Sequence, residues 1–361
     1  MTAAARRRDL FLTEILGQPG ALRRAGGAVV EQADRLNTLG LAWRGRRRVV
    51  LTGMGSSYDA CHTAATALAG EGVMATMVNA AELLHFRTAA LGPDDLLLIV
   101  SQSGESAEVV RLVERLRARD DRPFLAAVTN GLANPLATRA DLAIDTRAGP
   151  ERGPSTMTFA ATLVVLAAIG RILGGAGTPD VDGIAGRTAR DAEAAAAAAA
   201  RLLAAPEEQA AALEGWLGGR RMLTALGRGV ARAAAEMGAL TLKEAAGFPA
   251  ESLETADFRH GPLELVGPDL AVALFALERQ TDHLDRSLAA ELVGAGAAVL
   301  FVGPGGGAPE GAESVTIDHL ARVIAPAVAL VPLQLLAWRL AVTGGRRPGE
   351  FTVASKVTTR E

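Results

Sequence analysis

The chain has 361 residues, enough for two compact α/β units, and its 49% hydrophobic and 21% charged residues are an ordinary globular balance. A net charge of −3 excludes the basic field that nucleic acid or an anionic membrane would need. The single cysteine, Cys61, excludes an internal disulfide and a cysteine-rich metal site, and it fits a reducing cytoplasm. Its neighbours Ala60 and Ala64 read as the surroundings of a buried structural thiol.

Arg6-Arg7-Arg8 is followed by mixed residues and by no apolar signal core. No stretch reaches the roughly 18 uninterrupted apolar residues of a membrane span. Leu163–Ile169 and Ala325–Leu336 read as core or interface helices.

In chain order, residues 9–40 carry a helical pattern with a break expected at Gln18-Pro19-Gly20. Val49–Thr52 is the first strand, ending in Gly53-Met54-Gly55-Ser56-Ser57 before a helix through Ala69. Ala75–Val78, Leu96–Val100, Phe124–Thr129 and Leu142–Ile144 are further strands. The run from Gly149 to Pro154 is a loop, and Ser155 or Thr156 caps an apolar helix to about Leu173. Gly174–Asp182 marks the expected domain boundary, and Asp191–Ala205 is an alanine-rich helix. The pattern then restarts. Met222–Leu226 enters Gly227-Arg228-Gly229 and a helix to about Ala246. Leu270–Leu277, Val299–Val302 and Val315–Ile317 are strands, and 322–342 is a helix.

Each half therefore has a strand entering a Gly-x-Gly turn, then about fifty residues later a longer buried strand entering a polar turn. The expected architecture is α/β: two doubly wound, flavodoxin-like parallel sheets of about five strands in tandem. The expected limits are 1–46 for an N-terminal helical segment, 47–178 and 179–345 for the two domains, and 346–361 for a C-terminal tail. Ligands of such sheets bind beyond the carboxyl ends of the strands, which places Ser56, Ser57 and residues 101–106 on one rim.

Ser101-Gln102-Ser103-Gly104-Glu105-Ser106 is the stretch richest in chemistry. Five aliphatic residues precede it, and from Glu105 the spacing of Val109, Leu112, Val113 and Leu116 is helical. Hydroxyls at a strand-to-helix turn meet free backbone N–H groups and the positive end of a helix dipole, which suits an anion. Gly104 would let the backbone approach a ligand closely. With no lysine or arginine, the turn suits a small phosphorylated metabolite. The residues alone fit equally well an N-cap cluster that only starts a helix. Gly53-Met54-Gly55 lacks the third glycine of a dinucleotide fingerprint, since Tyr58 holds that place, so no nicotinamide cofactor is expected. His62, His85, His260, His283 and His319 are scattered, and no metal is expected.

Of 37 Lys plus Arg only Lys243 and Lys356 are lysine. A lysine can lose its proton and act as an amine, whereas an arginine in practice cannot.

Taken together the chain resembles the SIS (sugar isomerase) domain family. It is most like the isomerase half of glucosamine-6-phosphate synthase and the stand-alone phospho-amino-sugar deaminases. The stretches that carry the likeness are Gly55-Ser56-Ser57-Tyr58, Ser101 to Ser106, Glu151 to Ser155-Thr156, Leu242-Lys243-Glu244, Arg259-His260-Gly261-Pro262 and Ser355-Lys356-Val357-Thr358, in that order. Glu14-Ile15 with Gln18-Pro19 also resembles the opening of the isomerase half. The resemblance implies that Ser101, Ser103 and Ser106 hold a sugar phosphate. Gln102 and Ser56 or Ser57 would touch phosphate or sugar hydroxyls, and Ser155 the sugar, with Glu151 in the same loop. Glu244 would move a proton between C1 and C2, and His260 would open the sugar ring from the partner subunit of a homodimer. Lys356 would close over the site from the tail.

The bland readings are an exposed helix charge for Glu244, a loop cap for His260 and a solvated tail residue for Lys356. The loop after Glu151 is one residue shorter than in the synthase-like pattern, and three residues depart from it. Thr241 stands where a lysine is usual, Met157 replaces another lysine, and Asp257 replaces a common glutamate. No amino-terminal glutaminase unit begins the chain, so glutamine is not the expected nitrogen source. The expected activity is isomerisation and deamination of a phospho-amino-sugar, glucosamine-6-phosphate to fructose-6-phosphate and ammonia. The alternatives are a deglycase of a phosphorylated sugar–amino-acid adduct and a non-catalytic sugar-phosphate sensor.

Overall fold

The computed structural model describes residues 9–175, 179–305 and 307–360. The arginine run at 6–8, the middle of the expected boundary (176–178) and the last tail residue lie outside these.

Among the described residues ten strands run parallel within two five-stranded sheets. The first contains β1 (Arg48–Thr52), β2 (Ala75–Met77), β3 (Asp95–Val100), β4 (Phe124–Thr129) and β5 (Leu142–Asp145), in the order β2-β1-β3-β4-β5. The second contains β6 (Met222–Gly227), β7 (Ala250–Glu254), β8 (Leu270–Phe275), β9 (Ala298–Pro304) and β10 (Glu313–Ile317), in the order β10-β9-β8-β6-β7. Read from the β7 edge, that is the same order as the first. In both sheets the third strand in sequence is buried along its whole length, as its unbroken aliphatic run requires. The switch point of each sheet lies between its first and third strands, at their carboxyl ends.

Contacts divide the chain into two compact units. One holds the first sheet, in Gly20–Gly149 and Thr158–Ala194, with the chain from Val357 on. The other holds the second sheet, in Ala195–Lys356, with the chain up to Pro19 and the loop Pro150–Met157.

The expected break at Pro19 is absent: one helix runs Leu10–Glu31 through it. A proline leaves the carbonyl four residues back without its N–H donor. Here the Gln18 side-chain amide donates to that carbonyl, on Ile15, at 3.0 Å. Strand β7 went unseen because Ala250-Glu251-Ser252-Leu253-Glu254 is a half-buried edge strand with no apolar alternation. The helix expected to reach Ala246 is regular over Ala231–Thr241 and then widens to a π-turn over Leu242–Ala246. The alanine-rich helix starts earlier than its composition suggested, at Val181. The 322–342 helix is two pieces, Ala325–Ala329 and Val331–Thr343. Two helices, Met157–Gly174 and Ala325–Thr343, prove long and apolar enough to cross a membrane by length and composition, and 83% of each is buried inside the protein. Burial of that extent gives them the core role that the sequence pattern assigned.

Candidate active site

In the unit of the first sheet, β3 delivers the hydroxyl turn to the helix Ala107–Arg117, which starts two residues later than its apolar spacing indicated. The turn is tied by its own hydroxyls. Ser101 Oγ accepts from Gly104 N at 3.1 Å, Ser103 Oγ from Glu105 N at 3.1 Å, and Ser57 Oγ from Gln102 N at 3.3 Å. A hydroxyl that accepts from the backbone keeps its own hydrogen for a further acceptor, so these three still present O–H donors. Ser106 occupies the N-cap position but makes no side-chain cap bond, and Ala107 N donates to Thr358 O of the tail at 3.1 Å. Ser56 opens the helix Ser56–Gly70 after β1, beside the same switch point.

Gly104 meets a need that its sequence context did not show. Its φ is +65°, and a Cβ there would lie 1.9 Å from Asn134 Oδ1. Asn134 caps the following short helix at Ala137 N, 2.9 Å away, and donates to Gly131 O at 2.9 Å. The glycine therefore makes room for a neighbouring side chain. Cys61 is buried at this rim with its thiol on Ser57 O, and burial pushes its pKa far up, which keeps it inert.

In the unit of the second sheet the acidic and basic candidates gather. Lys356 Nζ donates to Glu151 Oε2 at 2.8 Å, to Gly153 O at 2.8 Å and to Ser155 Oγ at 3.4 Å. These bonds use all of an ammonium's donors. The other Glu151 oxygen accepts from Thr156 N at 2.8 Å and Thr156 Oγ1 at 3.1 Å, and the side chain is fully buried. Glu244 lies in the π-turn, a distortion that recurs at functional sites, with Gly247 closing it in the left-handed region. Burial pushes the Glu244 carboxyl above its usual range; Lys356 and Lys243 pull it back and Glu151 pushes it further. A carboxyl raised in this way binds a proton more readily than an exposed one, which suits it to carry a proton between two atoms.

His260 is exposed, in a loop that follows the 3-10 turn Asp257–Arg259 and is anchored by the buried Phe258. Lys243 is exposed. Thr241 is buried, and its hydroxyl finds no partner among the described residues, so no charge replaces the usual lysine there.

Glu14 belongs to this cluster, although no site role followed from its sequence context. It is 4% exposed, and its carboxylate accepts from Arg152 N at 2.6 Å and Gly153 N at 3.1 Å. The available signal was a carboxylate set in the apolar stripe of Phe11, Ile15 and Leu22.

The second sheet's own switch point is filled by the chain's charges. Glu278, 5% exposed, accepts from Val230 N at 3.0 Å and pairs with Arg322 at 2.7 Å, and its Oε1 lies where a Cβ on Gly229 would be. Asp285 is wholly buried against Arg228 at 2.8 Å. A carboxylate thus takes the helix-terminus position that the hydroxyl turn leaves open in the first sheet. Among the described residues no cluster of three His, Cys, Asp or Glu is placed to hold a metal ion.

The SIS domain family model matches residues 44–170 and 220–343, and the chain belongs to this family. It is 30% identical over 354 residues to the glutamine–fructose-6-phosphate aminotransferase (isomerizing) of Pyrobaculum aerophilum, covering 97% of this chain and 57% of that protein. The chain thus spans little more than half the length of that relative. Its fold matches the C-terminal domain of glucosamine-fructose-6-phosphate aminotransferase from Francisella tularensis with a TM-score of 0.84 at 23% identity, covering 97% of this chain and 100% of that one. It also matches a glucosamine-6-phosphate deaminase from Thermotoga maritima, with a TM-score of 0.72 at 20% identity and coverage of 96% and 98%. Both share the tandem parallel-sheet SIS fold.

Proposed function

We propose that the chain is a sugar-phosphate isomerase of the amino-sugar kind, acting on glucosamine-6-phosphate to give fructose-6-phosphate and ammonia. The observation that carries this reading is Lys356, held on Glu151, Gly153 and Ser155, with the raised carboxyl of Glu244 in its field. In the reaction, the 101–106 turn takes the phosphate and His260 opens the ring. Glu244 removes the proton from C2 and returns it to C1, which turns the 2-amino aldehyde into a 2-imine. Water then adds to the imine carbon, and the C–N bond breaks to leave the ketone and ammonia. Lys356 closes the site from the tail and stabilises charge that develops at the carbonyl. No metal or nicotinamide is needed for these steps.

The same reading makes the protein a cytoplasmic homodimer, with His260 serving the partner's site. It keeps the domain limits at 47–178 and 179–345, flanked by the segment 1–46 and the tail 346–361. A panel of sugar phosphates assayed for ammonia release and ketose formation tests it. Ammonia from glucosamine-6-phosphate supports it; ketose formed from an aldose phosphate with no ammonia would make the chain a plain isomerase. Release of an amino acid from a phosphorylated adduct would make it a deglycase, and binding without turnover would make it a sensor.

A further inference from the structure

We infer that Glu14 is the positioning residue for Lys356, acting through the backbone of Gly153. This rests on the lysine role proposed above. Glu14 does not touch the lysine's acceptors by side chain. It accepts the Gly153 N–H at 3.1 Å, while the carbonyl of that same residue accepts from Lys356 Nζ at 2.8 Å. The neighbouring Arg152 N–H, 2.6 Å from Glu14, fixes the peptide that follows Glu151, whose carboxylate is the ammonium's ion partner. One buried carboxylate thus sets both the loop that presents Glu151 and the carbonyl that receives the lysine.

The helix that carries Glu14 is itself pinned at both ends of its first three turns. Asp9 caps it at Leu12 N, 2.8 Å away, and with its other oxygen accepts from Trp338 Nε1 at 2.6 Å. Gln18 donates to Gln334 at 2.7 Å. Both anchors lie on the helix Val331–Thr343, so Glu14 stands on a rigid mount. Gly153 is suited to its place by the same contact: a Cβ there would sit 2.8 Å from Glu14 Oε2 and 3.2 Å from Gly349 Cα. Burial pushes the Glu14 carboxyl up, the two backbone N–H groups and Lys356 pull it down, and Glu151 pushes it up again. A group held against these costs in the interior has a role beyond filling space.

The test separates this link from the reaction. Hydrogen exchange is followed on peptides covering 150–157 and 346–360 in the substrate-free protein, for Glu14→Ala, Glu14→Gln and Glu14→Asp. Glu14→Ala and the shorter Glu14→Asp should each expose both peptides, with exchange at least tenfold faster. Glu14→Gln keeps one oxygen for the Arg152 N–H but sets its NH2 against the Gly153 N–H, so it should expose the peptides less than Glu14→Ala and Glu14→Asp and more than wild type. With turnover measured on the active sugar phosphate, Glu14→Ala should lower kcat by about 100-fold and change KM less than threefold. If Glu14→Ala does not fold, the comparison of Glu14→Asp with Glu14→Gln decides alone. Unchanged exchange of the tail peptide in Glu14→Asp, or equal losses in kcat and 1/KM, would overturn the inference. Faster exchange in a protein that turns over no sugar phosphate would uphold the link and overturn only the proposed reaction.

Discussion

Replacing Glu151 by glutamine should release the tail. The Glu151 side chain is fully buried and that of Lys356 is 19% exposed, with 2.8 Å between the charged atoms. Glutamine keeps an oxygen for Thr156 but turns its NH2 group on the ammonium, donor against donor. Removing one partner of a buried ion pair costs ~3–5 kcal/mol. Lys356 keeps the Gly153 carbonyl and some water, which reduces the expected loss to ~2–3 kcal/mol of docking free energy. That is roughly a 30- to 150-fold smaller docked-to-undocked ratio at 1.36 kcal/mol per tenfold. Exchange of peptides 150–157 and 346–360 in Glu151→Gln, Lys356→Gln and the double variant closes a double-mutant cycle. A coupling of about 1.5 kcal/mol or more is expected for groups in direct contact. Additive losses, or wild-type protection in Glu151→Gln, would refute the reasoning.

Ser101→Ala with Ser103→Ala removes two hydroxyls that tie the turn and keep a hydrogen to donate, at ~1 kcal/mol per hydrogen bond, and should raise KM for a phosphorylated substrate roughly 30-fold; unchanged calorimetric affinity would move the phosphate elsewhere. Gly104→Ala places a non-glycine residue at φ +65° against Asn134, and should cost ~2–3 kcal/mol in urea unfolding, from the left-handed backbone and the lost cap; a change under about 0.5 kcal/mol would contradict it. Asp285 gives a pH signature. Burial, only partly offset by Arg228 and reinforced by Asp282 and Glu254, raises its pKa to about 6. Between the ordinary aspartate value and that one the folded state binds the proton and the unfolded state does not, so stability is highest in acid and falls as pH rises. The fall is about 3 kcal/mol between roughly pH 4 and 6, at ~1.4 kcal/mol per pH unit. The stability difference between wild type and Asp285→Asn should change by that amount over the window and level off above it. A pH-independent difference would deny the buried carboxyl.

Much of this was legible from the residues. Unbroken apolar runs such as Leu96–Val100 and Leu270–Phe275, bounded by turn residues, read as strands buried on both faces, and their repetition across the halves exposed the tandem sheets. The two lysines drew attention to Lys356, and the structure places it on Glu151, Gly153 and Ser155. What stayed hidden depended on particular side-chain and edge contacts, several of them distant in sequence. The Pro19 break failed because a side chain can stand in for a missing N–H, and β7 failed because an edge strand need not alternate. Glu14 stayed outside the expected site because its partners lie 138 and 139 residues away. The contact of Gly104 with Asn134, thirty positions on, could not be read from the chain.

The proton carrier is the centre of the account, and Glu244→Gln tests it most directly. Wild type and variant are given glucosamine-6-phosphate deuterated at C2, and ammonia release is followed together with deuterium at C1 of the ketose. Wild-type protein should release ammonia and deliver part of the C2 label to C1. Glu244→Gln should lower kcat at least 1000-fold, about 4 kcal/mol of barrier, and keep the substrate's affinity within a few-fold. Turnover by Glu244→Gln within tenfold of wild type, with label still passing from C2 to C1, would contradict it.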